Sequence, residues 1–195
     1  GDGRTVGSLL VPEEEVVTVR PAFPRVLIST FTFTMPQPAF HGPLPSVGTT
    51  APTLRYVKAD RHEASLQDHM GQVVVLIAFP SVDTSTCALE MRTFNQRATE
   101  LGARVLSISM DLPFALKRFC AAEGIANVEA GSDFRYHDAA HVWGAALTEG
   151  ALAGTLGRIT WVIDQEGVIR YQEVAPELGA EPDYEAALHA AKALL

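Results

Sequence analysis

Two side chains in this chain of 195 residues can act as sulfur nucleophiles, Cys87 and Cys120. Cys87 closes the segment Pro80-Ser81-Val82-Asp83-Thr84-Ser85-Thr86-Cys87. A thiol attacks only as its thiolate, so chemistry here depends on what stabilises the charged form. Thr84 lies three residues before Cys87. Within one turn its hydroxyl can donate to a thiolate or to an incoming oxygen. Pro80 lacks an N–H donor and stiffens the entry to the segment. The two cysteines do not form a C-x-x-C pair, so the commonest dithiol-exchange motif is absent. They are also too few for a disulfide scaffold or a cysteine-rich zinc site.

The flanking elements must position Cys87. Val73 to Phe79 is a continuous apolar run, as expected of a strand buried on both faces. After the polar turn, Cys87, Met91, Phe94, Ala98 and Leu101 recur at helical spacing. Thr84 and Ser85 are natural N-caps, and Gly102 closes the helix. Cys87 is therefore expected in the first turn of a helix at the carboxyl end of a buried strand, where α/β sheets bind ligands. Unpaired backbone N–H groups and the positive end of the helix dipole favour a thiolate there.

The rest of the chain reads in the same terms. Residues 1–30 form an N-terminal extension with three prolines and an acidic cluster at Glu13, Glu14 and Glu15; a surface arm is expected. Residues 31–195 read as a single domain. Val26 to Thr34 and Leu54 to Val57 suit strands, and Ala64 to Met70 suits a turn of helix. Arg104 to Ser109 is a strand, followed by a helix from Phe114 to Glu123 with Asp111 as its N-cap and Cys120 near its end. Asn127 to Ala130 is a short strand, and Phe134 to Val142 a short helix. Ile159 to Asp164 and Val168 to Val174 form a hairpin before a last helix opened by Glu181, Pro182 and Asp183. A βαβ unit followed by ββα predicts an α/β, thioredoxin-like fold: a central mixed sheet flanked by helices, with an N-terminal extension.

Composition narrows the function. Hydrophobic residues make up 47%, and the net charge is −8 with no block of Lys or Arg. A globular chain that binds neither nucleic acid nor anionic membrane is expected. No apolar run approaches the ~20 residues of a membrane helix. The chain starts at Gly1, which leaves a cleaved targeting peptide, and hence export, open. With two cysteines and no disulfide scaffold, a reducing cytoplasm is the expected compartment.

The motif P-S-V-D-T-S-T-C resembles the active-site signature of peroxiredoxins. F-N-Q downstream, D-L-P-F-A, R-F-C-A-A-E-G around Cys120, S-D-F-R at Arg135 and E-P-D-Y-E-A-A-L near the end are similar to the bacterial thiol peroxidase class of atypical two-cysteine peroxiredoxins. The resemblance runs from about Ser46 to the C-terminus. It implies that Cys87 attacks a peroxide oxygen to become a sulfenic acid, and that Cys120 resolves it as an intrachain disulfide. It further implies that Thr84 and Arg135 hold the peroxide, that Arg135 stabilises the thiolate, and that Arg158 in G-R-I-T-W is a second arginine of the site. Thioredoxin or a similar dithiol would recycle the disulfide, in a homodimer that needs no metal or organic cofactor. Ser85 and Thr86 stand where that family usually carries Pro or Gly and then an apolar residue. Residues 1–30 have no counterpart in it.

The two thiols, on separate elements and at opposite ends of their helices, are expected to lie beyond the ~7 Å Cα separation that a disulfide spans. Both helices must then loosen during turnover. Two other functions use the same residues: a redox relay that passes oxidation to a partner without efficient turnover, and a non-catalytic interaction module in which Cys87 is structural. The coexistence of Pro80, Thr84, Cys87 and Arg135 argues against the module. His137 and His141 have the i, i+4 spacing of a metal pair but no evident third ligand beyond Asp138, so no metal site is expected.

Overall fold

A computed structural model describes residues 38–195. The extension over 1–30 and the strand expected over Val26–Thr34 lie outside the described residues. Seven strands form one sheet: β1 (Arg55–Lys58), β2 (Glu63–Ser65), β3 (Val74–Ala78), β4 (Arg104–Ser109), β5 (Val128–Ser132), β6 (Ile159–Ile163) and β7 (Ile169–Val174). Their spatial order is β2-β1-β5-β4-β3-β6-β7. β3, β4 and β5 run parallel, and β1, β2, β6 and β7 join antiparallel. This is the mixed sheet of a thioredoxin-like fold.

The side-chain alternation of a strand divides β3 between two cores. Val74, Leu76 and Ala78 point into one with Leu106, Ile108 and Trp161. Val75 and Ile77 point into the other with Val105 and Val162. Three helices cover the second face: α1 (Ser85–Leu101), α2 (Pro113–Glu123) and α3 (Tyr184–Lys192). They contribute Cys87, Met91 and Phe94 from α1, Leu116 and Phe119 from α2, and Ala187, Leu188 and Ala191 from α3. The burial of these apolar stripes is the main favourable term in docking them.

α1 starts at Thr84, whose hydroxyl accepts from the Cys87 N–H, and ends at Gly102. α2 ends at Gly124. Both glycines take the left-handed conformation, with φ of 72° and 66°. That conformation is nearly free of strain only without a Cβ.

Three local expectations are corrected. Asp111 does not cap α2: the N-cap is Leu112, without a side-chain hydrogen bond, because the Asp111 carboxylate is engaged elsewhere. The segment expected as a helix over Phe134–Val142 is one π-helical turn, Asp138–Val142. Its first N–H groups are drawn onto the buried Asp133 carboxylate, which accepts from Ala139 and Ala140. Ala64 to Met70 divides into the end of β2 and a 3₁₀ turn, Leu66–His69, capped by Ser65.

Candidate active site

The register of the sheet assembles the site. β3 and β6 pair antiparallel with Ala78 opposite Ile159. The residue before Ile159 therefore lies where β3 ends and the Pro80–Thr84 turn begins, and that residue is Arg158. Pro80 is buried in the turn. Thr84 Oγ1 donates to Ser81 O (3.2 Å) and accepts from Cys87 N (3.3 Å). Cys87 is fully buried on the sheet-facing side of α1.

Arg158 is also buried, and it meets the sulfur: Nη2 lies 3.4 Å from Cys87 Sγ. Its other donors hold it still. Nε and Nη2 donate to Leu178 O at 3.1 and 2.7 Å, and Nη1 donates to Glu90 Oε2 at 2.5 Å. The same 178–179 backbone tethers the first turn of α1, because Thr86 Oγ1 donates to Gly179 O at 3.3 Å. Thr86 thus has a defined partner, and Ser85 faces solvent.

Burial opposes the guanidinium charge, but Glu90 and the Cys87 sulfur outweigh it and hold the Arg158 pKa above its ordinary value. Glu90 is fully buried. Burial pushes its carboxyl up to about 7, against the pull of Arg158. Among the described residues its Oε1 has no hydrogen-bond partner. Sequence reasoning missed Glu90. Its signal was a carboxylate three residues after Cys87, on the face that carries Cys87, Met91 and Phe94.

Arg135 stands elsewhere. It follows β5, which β4 separates from β3. Its guanidinium is 55% exposed and pairs with Glu63 of β2 at 2.8 Å. The arginine at the sulfur is Arg158, which corrects the expectation that Arg135 takes that place. Arg135 instead borders a cavity of about 220 Å³ lined by Leu112, Phe114 and Phe134.

Cys120 is half-buried near the end of α2, packed against the same core as Cys87. Both thiols are free. Desolvation pushes the Cys120 thiol pKa up. Its carbonyl accepts from both Gly124 and Ile125, which closes the helix. Beside it lies a cavity of about 310 Å³ bordered by Lys58, Arg104 and Glu129.

His137 and His141 stack on one another with ring centroids 5.4 Å apart, and the His41 ring lies tilted by 30° against His141 at 4.4 Å. Among the described residues no group of three or more His, Cys, Asp or Glu could hold a metal ion.

This arrangement can present a sulfur anion to an electrophile, with a guanidinium and a helix N-terminus beside it. The Redoxin family matches residues 46–188. The chain is 43% identical over 157 residues to a thiol peroxidase of Leptospira interrogans, spanning 79% of this chain and 92% of that protein. It is 46% identical over 149 residues to a thiol peroxidase of Mycobacterium tuberculosis, spanning 76% and 90%. Among solved structures, a peroxiredoxin-like protein from Aquifex aeolicus superposes with a TM-score of 0.77 at 40% identity, covering 81% of this chain and 92% of that one.

Proposed function

The chain belongs to the redoxin family, and we propose that it is a thiol-dependent peroxidase acting on hydrogen peroxide and organic hydroperoxides. The observation that carries this reading is Arg158 Nη2 at 3.4 Å from the buried Cys87 Sγ, in the first turn of α1.

The Cys87 thiolate attacks one peroxide oxygen. An S–O bond forms, the O–O bond breaks, and the leaving alkoxide or hydroxide takes a proton. Sulfur is oxidised by two electrons and the peroxide is reduced to an alcohol or water. Arg158 and the helix N–H groups stabilise charge at the sulfur and at the departing oxygen. The Cys120 thiolate then attacks the Cys87 sulfenic acid, forms an intrachain disulfide and releases hydroxide. Thioredoxin, or a similar dithiol, exchanges with that disulfide and restores both thiols. Cys87 is fully buried, so the resolving step requires the first turn of α1 to unwind.

A homodimer is part of the proposal. Leu112, Phe114 and Phe134 are 45%, 67% and 55% exposed around one cavity, an apolar grouping that a second copy would cover. The proposed compartment is the cytoplasm, where a reducing milieu keeps the thiols available.

The test is a coupled assay of NADPH consumption with thioredoxin, thioredoxin reductase and either hydrogen peroxide or cumene hydroperoxide. Sustained turnover is expected. A single stoichiometric oxidation that thioredoxin cannot reverse would overturn the peroxidase reading in favour of a redox relay. The relatives' activity as thiol peroxidases favours turnover.

A further inference from the structure

The carboxylate of Asp111 ties the turn that carries Thr84 to the base of the helix that carries Cys120. Asp111 lies between β4 and α2. Its Oδ1 accepts from Ser81 Oγ at 2.7 Å. Its Oδ2 accepts from Val82 N at 2.9 Å and from Ser109 Oγ at 2.7 Å. Ser81 passes the constraint on: its carbonyl accepts from Thr84 N (3.1 Å) and Thr84 Oγ1 (3.2 Å), and its hydroxyl accepts from Asp83 N (3.1 Å). Thr84 Oγ1 then receives Cys87 N. A continuous set of hydrogen bonds thus runs from Asp111 through Ser81 and Thr84 to Cys87.

The other link from α2 to this turn, Arg118 to Asp83 at 3.3 Å, is formed by exposed side chains and is weakened by solvent screening. Asp111, by contrast, makes charge-assisted bonds to half-buried partners, which are stronger. No step of the mechanism above uses it, and it does not cap α2.

We propose that Asp111 is a positioning residue that holds the peroxide-reactive form of the Cys87 turn and so sets the partition between two fates of the Cys87 sulfenic acid. This rests on the peroxidase reading. One fate is the disulfide: the Cys120 thiolate displaces hydroxide from the sulfenic sulfur. The other is a second oxidation, in which the sulfenate attacks another peroxide, gains its oxygen to become a sulfinate, and releases an alcohol or water. The turn must keep its form for either attack on peroxide, and the first turn of α1 must open for the disulfide. A clamp at the base of the turn therefore speeds both oxidations and slows resolution.

The test measures the steps separately by acid quench and mass spectrometry in the wild type, Asp111→Asn and Ser81→Ala. Asp111→Asn is nearly isosteric but lacks the charge and one acceptor, and Ser81→Ala removes the Oδ1 partner together with the acceptor of Asp83 N but leaves the Val82 and Ser109 bonds to Oδ2. In both variants Cys87 oxidation slows, by about tenfold for Asp111→Asn and less for Ser81→Ala. The disulfide forms faster from the sulfenic acid, and the sulfinate fraction at high peroxide falls. Opposite changes in the two steps are a signature that general damage to the fold would not leave. Parallel slowing of both steps, or no change in either, would overturn the proposal. A wild type that forms neither sulfenic acid nor disulfide would instead defeat the peroxidase reading itself.

Discussion

The guanidinium of Arg158 lies 3.4 Å from the Cys87 sulfur, and neither side chain is exposed. A buried cation in contact with a sulfur matters more than one in water, because the interior screens their interaction less. Three further guanidinium bonds run to Glu90 and Leu178 O, so the planar fork has little freedom to turn away.

The two arginines separate in a kinetic experiment. Arg158→Ala should lower kcat/KM for peroxide by about 10²-fold or more, the usual loss when a charge-stabilising donor is removed. Arg158→Lys should remain impaired, since an ammonium cannot serve the sulfur, Glu90 and Leu178 O in one plane. Arg135→Ala should stay within a few-fold of wild type. The same loss in both alanine variants would contradict the assignment of Arg158 as the arginine at the sulfur.

Cys87→Ser should abolish peroxide reduction. Cys120→Ser should keep one round of oxidation, visible by mass as a sulfenic acid, and lose recycling by thioredoxin. Normal cycling in Cys120→Ser would mean that another thiol resolves the intermediate.

Glu90 predicts a pH effect on stability. Its folded pKa is raised from the ordinary 4.5 to about 7, mainly by burial. Between those values the folded protein binds more protons than the unfolded chain, so this contribution is present below pH 4.5 and is lost as pH rises to about 7. Glu90→Gln mimics the protonated form. Between about pH 5 and 8 the wild type should lose stability relative to Glu90→Gln by up to about 3 kcal/mol, measured by urea unfolding. Parallel stability profiles would show that Glu90 does not titrate in this range.

Thr84→Ala should cost about 1 kcal/mol through the lost N-cap and should also slow peroxide reduction, because the cap bond orients Cys87. Thr84→Ser keeps the oxygen and should restore most of both. A Thr84→Ala enzyme of normal activity would reduce the hydroxyl to a structural role.

The proposed dimer face is tested by Phe114→Asp, whose parent side chain is 67% exposed. Sedimentation should show a dimer for the wild type and a monomer for the variant. A variant that still sediments as a dimer would move the interface elsewhere.

Much of the platform was readable because its signals are local. An apolar run that must cross two cores, a threonine three residues before the cysteine, and glycines after the helices each act within a few residues. Asp111 shows the limit of such reading. An aspartate before Pro113 has the local signature of a cap, but the turn after β3 offers it a serine hydroxyl and a backbone N–H. Tertiary partners outbid the local role. Phe134–Val142 failed in a similar way, because the buried Asp133 claims two N–H groups of the turn that follows it.

The sequence by itself determined that Cys87 would open a helix at the end of a buried strand, because hydrophobic periodicity and capping are properties of neighbouring residues. It also marked Cys87 as a candidate thiolate, and the resemblance carried by Pro80, Thr84, Cys87 and Cys120 implied that a peroxide is what it attacks. Only the tertiary structure decided which arginine meets the sulfur and which carboxylate holds that arginine. Arg158 is 71 positions from Cys87 and 68 from Glu90. The antiparallel register of β3 with β6 brings Arg158 to the sulfur, and the interposed β4 keeps Arg135 away. Strand order and register are settled by packing across the whole sheet, so no local pattern around either arginine could have distinguished them.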